Sequence, residues 1–138
     1  MTLYVPAAKP SDYNIDGMGQ ILISRSASRG ANRSFSMVTE SGVPGPTVVL
    51  NFAVTGISPP LQPHQRWATG LLVDNAVMEA GGVDFIDRNI LGSGHGWTIG
   101  WAVAWNSTAT SFHIELPPGT MNWAIGCKGT MSAPRAAT

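Results

Sequence analysis

Nine residues, Trp97-Thr98-Ile99-Gly100-Trp101-Ala102-Val103-Ala104-Trp105, constrain this chain more than any others. Read with a period of two, they put Trp97, Ile99, Trp101, Val103 and Trp105 on one face and Thr98, Gly100, Ala102 and Ala104 on the other. Side chains alternate across a strand, so this is a strand with one bulky side and one nearly bare side. Trp97, Trp101 and Trp105 also form an i, i+4, i+8 row. Yet the large/small alternation runs through all nine residues, and Gly100 inside a helix would cost about 1 kcal/mol relative to Ala. The spacing predicts a strand whose bulky face, Trp101 included, is buried in the core. Its bare face would let another layer or subunit approach the backbone closely.

The rest of the composition narrows the possibilities. A chain of 138 residues is long enough for one domain with its own core. Charged residues make up 12% of it, about half the usual ~25%, and the formal net charge is zero. No basic or acidic tract exists, which argues against nucleic acid and anionic membrane as partners. Gly, Pro, Ser and Thr interrupt every apolar stretch before it reaches the length of a transmembrane helix. A neutral surface with few charges is poorly soluble alone; it is either rich in Ser, Thr and Asn or covered by partners. Cys127 is the single cysteine, so the chain can form neither an internal disulfide nor a Cys-based zinc site, and an inert buried thiol is expected. Met1–Pro6 lacks the charged and apolar regions of a signal peptide, which gives a cytoplasmic expectation unless the protein belongs to a virion. The sequons at Asn32 and Asn106 then read as chance matches.

Along the chain, no internal repeat stands out. Residues 1–14 form an extended N-terminal arm, 15–130 a single β-domain and 131–138 a C-terminal tail. Strand candidates fall at 20–26, 34–39, 47–55, 67–77, 82–86, 97–105, 110–116 and 121–128. Breaks such as Val43-Pro44-Gly45-Pro46, Ser58-Pro59-Pro60 and Pro117-Pro118-Gly119 separate them. Short strands between turn signals predict an all-β fold, an antiparallel β-sandwich of jelly-roll type with about eight strands. In it, 97–127 forms a three-stranded meander with Trp101, Phe112 or Ile114, and Trp123 layered on one face.

Chemical motifs are sparse. His64, His95 and His113 show no metal-ligand spacing, and His113-Ile114-Glu115 lacks the paired cysteines that a zinc deaminase site would need. Gly92-Ser93-Gly94-His95-Gly96 matches no phosphate-loop or dinucleotide pattern and reads as a flexible connection. Asp74, Asp84 and Glu115 supply carboxylates at no diagnostic spacing. No catalytic, cofactor-binding or metal residues are therefore assigned, and an enzyme is not expected. Trp67, His95 and Trp123 are the candidates for a ligand or partner surface. In the N-terminal arm, Leu3, Tyr4, Val5 and Pro6 form an apolar extended segment suited to adding onto a neighbour's sheet edge.

Compact β-structure, arms at both ends, low charge and no catalytic constellation are traits of overall layout. In these the chain resembles the small jelly-roll modules of virion accessory proteins. That resemblance implies a structural, non-enzymatic assembly protein, such as a phage capsid decoration (cement) or tail-associated subunit. It would act as a homo-oligomer, for instance a trimer, docked on a larger scaffold such as a capsid shell. Two alternatives stay open: a lectin-like carbohydrate-binding module for host attachment, with a glycan on the tryptophans, and a small β-barrel enzyme with an apolar pocket.

Overall fold

The computed structural model describes residues 11–16, 19–29, 35–56 and 60–132. The chain winds in successive coils. Coil 1 holds β1 (Ser11–Ile15), β2 (Ile21–Ser24) and β3 (Ala27–Arg29). Coil 2 holds β4 (Phe35–Thr39), β5 (Thr47–Leu50) and β6 (Ala53–Thr55). Coil 3 bridges its neighbours at Leu61, then forms β7 (Ala68–Thr69), β8 (Leu71–Asp74) and β9 (Val77–Met78). Coil 4 holds β10 (Gly82–Phe85), β11 (Ile99–Gly100) and β12 (Ala102–Trp105) and begins β13 (Thr108–Ile114). That strand turns the corner into coil 5, which continues with β14 (Asn122–Ile125) and β15 (Lys128–Met131).

Every pair of these strands is parallel. Leu22, Val48, Leu72, Val103 and Trp123 lie in register on five neighbouring rungs, so the chain returns to the same position every 20 to 31 residues. This is a parallel β-solenoid with three faces. The first face carries β1, β4, Leu61, β10 and the end of β13, the second β2, β5, β8, β12 and β14, and the third β3, β6, β9, Thr108 and β15.

The expected antiparallel jelly roll of about eight strands is therefore wrong, and so is the 97–127 meander. Pro/Gly breaks read as hairpins in sequence, but here they turn the corners of coils. The virion and phage assignment rested on that layout and loses its basis with it. An internal repeat, not seen in the sequence, sits at the corner between the second and third faces. Arg25, Asn51, Asn75, Asn106 and Gly126 open this corner with φ of 51°, 53°, 52°, 46° and 66°. Asn tolerates that left-handed conformation better than other non-glycine residues. The amide of each of the first four donates to a carbonyl of the next coil, at 2.8–3.1 Å. Asn106 Nδ2 adds a bond to Asn75 Oδ1 at 2.7 Å.

The core runs through the coils as stacks. Met37, Leu61, Val83 and Phe112 point inward from the first face, Val49, Val73 and Ala104 from the second, and Val54 and Met78 from the third. Stacked coils bury such residues on both sides of every rung, so no long alternating pattern is needed.

The nine-residue tryptophan segment departs from its predicted orientation. Trp101 has φ of 57°, which interrupts the pleat and divides the segment into β11 and β12. Beyond this kink the bare residues face inward: Ala102 and Ala104 are fully buried, whereas Trp101 and Trp105 are 55% and 48% exposed. Ile99, before the kink, is buried as expected. Gly100 is the position where bareness is required, because a Cβ there would press on the Thr120 side chain at 2.7 Å. Among the described residues no helix is long and apolar enough to cross a membrane. Residues 11–14 of the expected N-terminal arm lie in or beside the β1–β4 pairing; Leu3, Tyr4, Val5 and Pro6 lie outside the described residues.

Candidate functional site

The second face is unusual on its outer side. In a strand buried on one side only, outward positions are polar. Here one outward column reads Leu22, Val48, Leu72, Val103, Trp123 and the next reads Ser24, Leu50, Asp74, Trp105, Ile125. Asp74 is the single charge among these ten positions. The inner columns, Ile21–Thr47–Leu71–Ala102–Asn122 and Ile23–Val49–Val73–Ala104–Ala124, hold smaller side chains than the outer ones, with Thr47 and Asn122 as their polar members. The sheet is apolar on both sides, the signature of a parallel sheet covered on both sides.

At about 4.8 Å per rung and 3.3 Å per residue, the outer face measures roughly 20 by 13 Å. Leu22, Trp105 and Ile125 are exposed, and the other apolar members of the two columns are half-buried by one another. Trp101 and Met121, at the corner leading into the face, widen it. The Trp101 and Trp123 rings lie 5.8 Å apart at 37°. Contiguous exposed apolar groups of this kind are characteristic of interaction surfaces.

Of the residues singled out from sequence, Trp123 belongs to this face. Trp67, with φ of 55°, is exposed at the corner before β7, and His95 is buried in the long connection between β10 and β11. The structure does not gather the three at one place. Leu22, Val48, Leu50, Leu72, Val103 and Trp105 were not recognisable as site residues, because strand register alone aligns them.

The titratable residues form two inter-coil groups. Glu40 Oε2 accepts from His64 Nδ1 at 3.0 Å and from Gln65 Nε2 at 3.3 Å. The His64 ring meets His95 edge to face with centroids 4.6 Å apart. Arg88 Nη1 donates to the His64 carbonyl at 2.8 Å. On coils 4 and 5, Asp84 and His113 are register partners joined at 2.8 Å between Oδ1 and Nδ1. Burial raises the Asp84 pKa above the usual carboxylate value, with His113 opposing the shift and Glu115 adding to it. The nearby Glu115 is buried and accepts the Asp87 amide at 2.6 Å. Among the described residues no three His, Cys, Asp or Glu side chains are placed to hold a metal ion. The Cys127 thiol is partly buried and lies 3.4 Å from the Ala104 carbonyl.

Comparison with protein-family models, with curated proteins and with solved structures found no match to this chain.

Proposed function

We propose that this protein is a structural assembly module that associates with a second copy of itself through the outer face of its second sheet. The observation that carries the reading is the sheet that is apolar on both sides, with only one of the two sides covered by the described residues. Leaving large aliphatic and aromatic groups in water costs about 25 cal/mol per Å². A flat face holding one charge in ten positions is complementary to another face of the same kind, and an identical chain always supplies one. The zero net charge and low charge content favour association further. Binding, not catalysis, is the activity proposed.

The exposed tryptophans also favour a second reading, stacking of a sugar ring. The 37° tilt between Trp101 and Trp123 and the single carboxylate of Asp74 suit that less well than a neighbouring apolar face. Light scattering separates the two. The parent chain is expected to be an oligomer at micromolar concentration, and the Leu72→Glu/Val103→Glu variant a folded monomer. A monomeric parent chain whose Trp fluorescence responds to oligosaccharides would replace self-association with the sugar reading.

A further inference from the structure

Coil 4 is the longest of the five because of the connection between β10 and β11. From Asn89 to Gly94 this connection is exposed; Ile90 is 84% and Leu91 56% accessible. Its next residue, His95, is buried. The glycine-rich stretch closes over that imidazole at Gly92, where φ is 60° and a Cβ would run into the ring; Gly94 and Gly96, at φ of 78° and 58°, face open space and let the backbone turn back. A motif that reads in sequence as a flexible connection is thus a sleeve for one side chain.

Inside the sleeve His95 Nδ1 is buried with no hydrogen-bond partner. The ring's edge-to-face neighbour is His64 of coil 3. Arg66 reaches over from coil 3 to the Ser93 carbonyl and Oγ at 3.0 and 3.1 Å and to the Gly94 carbonyl at 3.4 Å. Arg88, whose charge also acts on His95, is held by the His64 carbonyl and by the Phe35 ring 5.4 Å away. Glu40, the carboxylate that acts on His95 from this cluster, is already engaged by His64 and Gln65. A proton on His95 would enter a buried position beside two guanidinium groups, with its nearest compensating charge in use.

We infer that the 87–96 connection is an acid-released latch, closed on coil 3 while His95 is neutral and opened when His95 takes up a proton. Burial, then the charges of Arg88, His64 and Arg66, hold the His95 pKa below the ordinary imidazole value of about 6.5, with Glu40 opposing. The folded-state value is depressed, so the neutral ring's contribution to the closed latch is complete above that ordinary value. It is lost as the pH falls through the lowered one.

Amide exchange on the full chain tests this, read at His95 and Gly96, whose amides donate to Leu91 and Asn89 across the sleeve. Between pH of about 7.5 and about 5, exchange corrected for intrinsic rates is expected to rise at least about tenfold at these amides, while β12 stays protected. His95→Gln should abolish the pH dependence, and His113→Gln should leave it intact. If His95→Gln fails to fold, the ring titration of His95 in the parent chain, followed by NMR, decides. Exchange that ignores pH, pH dependence that survives His95→Gln, or a His95 ring titrating at or above the ordinary histidine value would overturn the latch.

Discussion

The inner and outer sides of the second sheet are both apolar, but in coils 4 and 5 they differ sharply in bulk. Inside, Ala102 and Ala104 are fully buried, and Asn122 is 3% exposed. Outside, Trp105 and Ile125 stand nearly half in water beside Val103 and Trp123. In a globular fold built around one thick core, the tryptophans would be the interior. In a solenoid, each coil's interior must match the coils above and below, so stacking and available space choose the inner residues. In coils 4 and 5 the bulkier apolar groups are left to the outer side, where no described residue covers them. Hydrophobicity alone therefore does not separate core from outer surface in this protein; position on the rung does.

Substitutions on the two sides should separate accordingly. Phe112→Ala removes a fully buried ring from the first-face stack and should lower unfolding free energy by about 3–5 kcal/mol in urea titration. A loss under about 1 kcal/mol would mean that the stack is not the core. Asn122 is buried with all its groups engaged: Nδ2 donates to the carbonyls of Ile99 and Glu115 at 3.1 and 3.2 Å, and Oδ1 accepts the Ala102 amide at 3.0 Å. Asn122→Ala strands that amide and should cost about 1–3 kcal/mol, with fraying of coil 5 seen first by amide exchange. Asn106→Ala loses the bond to Asn75 and puts a less tolerant residue at φ of 46°, for a loss of about 1–2 kcal/mol, whereas Asn106→Gly should recover most of it. The smallest effect on folding belongs to Trp101→Gly. It removes an exposed ring and relieves a left-handed tryptophan, so unfolding free energy should shift by less than about 1 kcal/mol while self-association weakens. A large loss of folding stability there would return Trp101 to the core.

The contrast also explains what could be read from the sequence. The all-β character was legible, as was the burial of Ile99. Strand direction was not, because Pro44-Gly45-Pro46 or Pro117-Pro118-Gly119 serves a hairpin and a coil corner equally well. Two signals pointed to the parallel arrangement. The runs Val48–Leu50 and Leu71–Val73 are apolar without alternation, and Asn51, Asn75 and Asn106 each close a strand of this kind. The kink at Trp101 had no signal, since tryptophan is not a residue expected at positive φ. The outer face itself was hidden because Leu22, Val48 and Leu72 lie a whole coil apart in sequence and meet only through register.

The central claim is that the outer side of the second sheet is covered by another copy of the chain. Thiol labelling of Val103→Cys in a Cys127→Ser background tests it most directly, with Thr110→Cys as the exposed control. The thiol introduced at position 103 should label slowly in the assembled protein. Once Leu72→Glu is added, it should label several times faster, whereas the thiol introduced at position 110 should not change. Equal labelling rates at the two positions without Leu72→Glu would contradict the claim.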